Sequence, residues 1–135
     1  MKNILKSIVL FLATVLIISC KKDEGKLPNI AFKTGGSYTN ADVTLVGKSA
    51  VTIGIDASKA EKKDVLKKFN ISKSVNGAAN VTVLDKDLSG ADADAYAYDY
   101  TTTLDTTRGQ TNKYTFTVTN RDGLTNQVAV TVTVK

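Results

Sequence analysis

The chain has 135 residues, 18 of them basic and 13 acidic, with one cysteine, one proline, no tryptophan and no histidine. A net charge of +5 speaks to solubility and falls short of the concentrated basic stripe that grips nucleic acid, so no nucleic-acid partner is expected. Without histidine there is no Ser–His–Asp triad, no Cys–His dyad and no imidazole metal site or proton relay. A lone cysteine also leaves no disulfide within the chain, so the fold must rest on packing.

The chain opens with Lys2 and Lys6, followed by an apolar stretch over residues 8–18 whose only hydroxyl belongs to Thr14. Eleven residues make a helix of about 16 Å. A bilayer span needs about 20, so the stretch reads as a cleaved secretory signal and not as a lasting anchor. It ends in Ile17-Ile18-Ser19-Cys20, which resembles the lipobox of bacterial lipoproteins, with a branched apolar residue three before the cysteine. The resemblance implies a leader over residues 1–19 that is cut before Cys20, a diacylglycerylated thiol and an acylated new amine, so that the membrane is a partner through the lipid. Residues 20–28 are charged up to Leu27-Pro28 and read as a flexible tether. Within them Lys22-Asp23-Glu24 resembles the export signal of surface lipoproteins in the Bacteroidota, which implies display on the outer face of the outer membrane.

From residue 29 to 135 the period is two. Strands are predicted at 29–33 and 43–46, then around Val51, Ile53 and Ile55, which alternate with Thr52 and Gly54. Residues 58–68 are the one stretch with a helical signal, a capping box of Ser58 with Glu61 ahead of Val65, Leu66 and Phe69. Further strands are predicted at 69–75, 81–84 and 96–104. The strongest two follow: Tyr114, Phe116 and Val118 alternate with threonines, and Val128, Val130, Val132 and Val134 alternate with Ala129, Thr131 and Thr133. Between these two, Asn120-Arg121-Asp122-Gly123 is a hairpin turn in which Gly123 supplies positive φ. Seven or eight short strands with no βαβ rhythm predict an all-β protein, an immunoglobulin-like antiparallel β-sandwich of about seven strands. The segments Val51-Thr52-Ile53-Gly54-Ile55, Phe69-Asn70-Ile71 and Tyr114 to Gly123 resemble the immunoglobulin-like domains of small Bacteroidota lipoproteins, and more distantly polycystic-kidney-disease and cadherin-like modules. The resemblance implies a tyrosine corner at Tyr114. It implies no reaction.

Several groups could carry chemistry. Asp85-Lys86-Asp87-Leu88-Ser89-Gly90 imitates the opening of a calcium loop, with oxygens at Asp85, Asp87 and Ser89 and with Asp92 and Asp94 close by. Position twelve of such a loop calls for a bidentate glutamate and Tyr96 stands there, so an ordinary polar turn explains the residues as well. Tyr96, Tyr98 and Tyr100 share one face of a strand and form either an exposed strip for a glycan or peptide or a core face; Asp99 on the opposite side favours the core. Lys59, Lys62, Lys63, Lys67 and Lys68 around Glu61 and Asp64 are either a contact for anionic polysaccharide or headgroups or a solvated face. No glutamate follows Glu61, and small sandwiches seldom hold a cleft for a carboxylate pair, so neither catalysis nor a cofactor is expected. Two functions remain. One is a surface recognition or adhesion module for a glycan or protein ligand, contacting it through Tyr96, Tyr98, Tyr100, Asp92 and Asp94 or, with the tyrosines buried, through the loop 85–94. The other is a structural accessory of an envelope assembly. Cys20→Ser is expected to release the protein from membranes with its fold unchanged, because Cys20 precedes every predicted strand; carbonate extraction with circular dichroism of the released protein checks both halves.

Overall fold

The structure is a computed structural model that describes residues 24–135. The leader, Cys20, Lys22 and Asp23 lie outside the described residues, and Glu24 is exposed. Eight strands form: β1 (Asn29–Phe32), β2 (Val43–Leu45), β3 (Ala50–Ser58), β4 (Leu66–Val75), β5 (Val81–Asp87), β6 (Ala95–Thr103), β7 (Thr111–Asn120) and β8 (Thr125–Val134). They divide into a three-stranded sheet ordered β1-β3-β6 and a five-stranded sheet ordered β2-β8-β7-β4-β5, the two-layer arrangement of an immunoglobulin-like sandwich. All pairings are antiparallel except β2 with β8, which is parallel. No hairpin joins that pair, so nothing local dictates its direction. It is clipped by the Lys135 amide on the Leu45 carbonyl and the Thr131 amide on the Asp42 carboxylate.

The alternation read from the sequence decides which side chains meet between the sheets. Val51, Ile53 and Ile55 of β3 face Phe69 and Ile71 of β4, Phe116 and Val118 of β7 and Val132 of β8, and all eight are fully buried. Each contributes about 1.5–3 kcal/mol by leaving water. On the outer face Asn70, Thr117 and Gln127 stand in one row across β4, β7 and β8. Tyr114 lies inside β7 with its ring 5.5 Å from that of Tyr100, and burial pushes its hydroxyl up to about 12. Its ring meets Tyr100 of the opposite sheet, so Tyr114 helps tie the two layers together.

The helix expected over 58–68 does not form. Ser58 ends β3, Leu66 opens β4, and a turn fills the gap. A helix there would bury few apolar side chains, whereas as a strand the segment buries Leu66 and Phe69 completely and pairs Leu66 with Asn120. Burial also attaches to the turn's own Asp64, 2% exposed, which accepts from the Val65 amide at 2.8 Å and from Asn120 Nδ2 at 2.8 Å. Asn120 in turn donates to the Lys26 carbonyl at 3.0 Å and accepts from the Asp122 and Leu124 amides across the hairpin turn. The tether therefore stops short of residue 28: Lys26 is held by Asn120, and the buried Pro28 has its carbonyl bonded by Asn126 at 2.9 Å.

Ile53→Asp or Phe116→Asp is expected to unfold the domain, since an unpaired carboxylate in this core costs several kcal/mol against a total of about 5–15. Thr117→Asp, on the outer face, is expected to lower the melting temperature by no more than a few degrees. Thermal denaturation followed by circular dichroism checks the contrast.

Candidate functional site

Packing, and not solvent, receives the three tyrosines of β6. Tyr96 is 6% exposed, and Tyr98 and Tyr100 are half-buried against the core. Phe69 of β4 lies 5.2 Å from the Tyr96 ring and 5.7 Å from that of Tyr98. A freely exposed aromatic strip is thus not formed, because β6 faces the five-stranded sheet through this side and presents Ala97 and Asp99 outward.

The calcium-like loop is not a loop over its first half. Strand β5 runs through Asp87, and Lys68 of β4 inserts its ammonium between the two carboxylates, 3.1 Å from Asp85 and 4.0 Å from Asp87. Lys68 and Asn70 together hold the Asp85 carboxyl below its usual range. Ser89 precedes a single 3-10 turn, Gly90–Ala93. Asp92 is taken by Lys86 at 3.1 Å, whose ammonium also sits 4.5 Å from the Tyr96 ring centre, and Asp94 is taken by Lys59 at 2.5 Å. Among the described residues no three His, Cys, Asp or Glu side chains converge as a metal ion would require. The lysine run is dispersed by the same pairings: Lys59 goes to Asp94, Lys68 to Asp85, and Glu61 is shared by Lys26 and Lys63.

The outer face of the three-stranded sheet holds the arrangement that sequence reading missed. Register places outward-facing residues in rows across β1, β3 and β6: Asn29, Ser58 and Ala95; then Ala31, Asp56 and Ala97; then Lys33, Gly54 and Asp99. The third row is a clamp. Lys33 Nζ donates to Asp99 Oδ1 at 2.7 Å and the Tyr38 hydroxyl donates to Oδ2 at 3.0 Å, which holds the Asp99 carboxyl below its usual range and raises Lys33. Gly54 makes room for it, since a Cβ there would come within 2.6 Å of the Tyr38 ring and 2.7 Å of the Lys33 stem. Beside the clamp the first two rows, with Asn126, line an open hollow of about 620 Å³. Its floor is alanine, and the carboxylate of Asp56 rises from the middle of it with neither hydrogen bond nor ion pair among the described residues. The signal available in sequence was a glycine and an aspartate inside a strong strand, residue types that strands disfavour.

No family model matches the chain, and no curated protein matches it. Among solved structures, a superoxide reductase (neelaredoxin) from Ignicoccus hospitalis aligns with a TM-score of 0.54 at 9% identity, over 87% of this chain and 86% of that one, in a variant form of that protein. A second structure of superoxide reductase from the same organism aligns with a TM-score of 0.52 at 9% identity, over 82% of this chain and 81% of that one. At such identity the likeness carries the fold alone. It nevertheless corrects the expectation that this chain is no enzyme: that expectation leaned on small sandwiches rarely hosting catalysis, and this sandwich is one that an enzyme family uses.

Because Asp99 has a lowered folded-state value, the clamp's contribution is complete above the ordinary carboxylate range near pH 4 and is lost as pH falls through that lowered value. The difference in melting temperature between wild type and Asp99→Asn is therefore expected to vanish on acidification. A difference that stays constant down to pH 2 would show that the clamp does not depend on the Asp99 charge.

Proposed function

We propose that this chain is a lipid-anchored recognition or adhesion module on the outer face of the outer membrane, with a glycan or a protein as its ligand. The observation that carries the reading is the open hollow on the flank of the sandwich, in which Asp56 is left for an outside partner. The layout of the sequence supports it: a lipobox-like Cys20 and an export-like Lys22-Asp23-Glu24 stand just ahead of a folded domain. The chain enters the sandwich beside the β7–β8 hairpin, which is also the end that carries the 85–94 segment. The flank of the sandwich is therefore a better contact surface than that end, which an anchored domain turns toward its own membrane.

One observation favours the second reading, an accessory subunit of an envelope assembly. The free edge strand β5 exposes Val81 by 67% and Val83 by 42%. Its bulge at Ile71/Ser72 of the partner strand and its run of Asp85, Lys86 and Asp87 blunt that edge against strand addition.

Protease added to intact cells is expected to remove the domain, and the same treatment of cells carrying Lys22→Ala, Asp23→Ala and Glu24→Ala together is expected to leave it protected. Complete protection of the unaltered protein would move it to the periplasmic side. Stoichiometric recovery with one envelope protein, lost on Val83→Lys, would favour the accessory reading.

A further inference from the structure

Aspartate is depleted in β-strands, and a strand that keeps one normally gives its carboxylate a partner. The described strands hold four: Asp85 bonds Lys68 and Asn70, Asp87 lies 4.0 Å from Lys68, and Asp99 bonds Lys33 and Tyr38. Asp56 is the exception. It sits on β3, the central strand of its sheet, and its cross-strand neighbours are Ala31 and Ala97, neither of which can donate. An exposed charge at that position adds nothing to packing, and it acts on its surroundings through a weak coulombic effect on Lys33, one row away. Departures from local rules of this kind are expected where a surface serves an outside partner.

The surroundings narrow the partner's chemistry. The hollow's volume, about 620 Å³, falls in the range of small-ligand sites. Its floor offers methyl groups of Ala31 and Ala97 on either side of Asp56, about 4.8 Å away per strand, and Ala95 in the next row. Asn29 and Ser58, joined by a 3.3 Å hydrogen bond, add an amide and a hydroxyl with capacity to spare at the open end. A protein partner would seat an aromatic or arginine anchor in an enclosed, desolvated pocket, and this hollow is open to solvent. An anion would be repelled by Asp56. A cation gains less than a lone carboxylate would give it, because Lys33, one row away, already offsets part of the Asp56 charge. A ligand that carries hydroxyl donors and no net charge meets neither obstacle.

We infer that the hollow is a binding site for a neutral glycan, in which adjacent hydroxyls of one sugar donate to the two oxygens of Asp56 while the C–H face of the ring lies on Ala31 and Ala97. This rests on the recognition reading above and names its ligand class and contact residue. Hydroxyl donors to a carboxylate make charge-assisted bonds, and the methyl floor lets the ring approach the sheet closely. With no aromatic platform, affinity is modest and depends mainly on those bonds.

The full chain, purified in detergent, is tested on an array of di- to tetrasaccharides of glucose, galactose and mannose, beside matched chains of amino sugars and of uronic acids. The bound neutral sugar is then titrated by calorimetry against wild type, Asp56→Asn and Ala97→Gln. Both substitutions are on exposed positions, and unchanged melting temperatures verify the fold. The expected result is binding confined to neutral chains, weakened about ten- to hundredfold by Asp56→Asn, as loss of bonds to a charged acceptor implies, and weakened also by Ala97→Gln, which puts a side chain where the ring would lie. Neutral-glycan binding that both variants retain would overturn this site while leaving the recognition reading standing. Preference for amino-sugar or uronate chains would overturn the ligand class. No binding to any glycan would overturn the inference, and only if a protein pull-down from the cell envelope also came back empty would the recognition reading fall with it.

Discussion

Everything in this sandwich depends on contact between its two sheets, because no covalent cross-link holds them together. The chain has a single cysteine, placed ahead of the domain. What spans the layers is a seam of rings: Phe69 of β4 between Tyr96 and Tyr98 of β6, and Tyr100 of β6 between Tyr114 and Phe116 of β7. Aromatic pairs add about 0.5–1.5 kcal/mol each beyond the area that they bury. The branched residues of β3 fill the space beside the seam. The same contacts keep the β6 tyrosines from forming an exposed strip, so β6 stabilises the sandwich through one face and turns Ala97 and Asp99 outward on the other.

A second constraint is local and polar. Asn120, 1% exposed, uses both ends of its amide: it donates to Asp64 and to the Lys26 carbonyl and accepts from the Asp122 and Leu124 amides. Three stretches of chain far apart in sequence, the segment ahead of β1, the β3–β4 turn and the β7–β8 hairpin, meet at one side chain. Buried amides of this kind are costly unless satisfied, and this one is satisfied by partners that fix geometry. The result is a defined end of the sandwich, at which the chain enters.

With that end defined, the outer face of the three-stranded sheet becomes the flank of the sandwich. Its rows grade from the Lys33–Asp99–Tyr38 clamp, where every charge is matched, to the hollow, where Asp56 is not. A fold shared at 9% identity with superoxide reductases says nothing about this hollow. Function on a common scaffold follows from the residues that the scaffold presents, and the hollow presents a carboxylate, an amide and a hydroxyl over alanine.

The period-two alternation in residues 29–135 was enough to predict every strand and to assign the faces of β3, β7 and β8, because burying one face of a sheet leaves its side chains only one register. Gly123, at φ 80°, likewise closes its hairpin turn locally, where Asn120 accepts from the Asp122 and Leu124 amides. What tertiary structure decided is everything that needs a partner strand. Whether Ser58 to Lys68 coils or extends depended on Leu66 finding Asn120. Whether the tyrosines of β6 face water depended on Phe69 of the other sheet, and the mixed charges from 85 to 94 became pairs only because Lys59, Lys68 and Lys86 were brought beside them. The hollow is the extreme case. Asn29, Ala31, Asp56, Ser58, Ala95 and Ala97 are unremarkable when read along the chain, and they come together around one hollow only because β1, β3 and β6 pair in one register and leave Asp56 between two alanines.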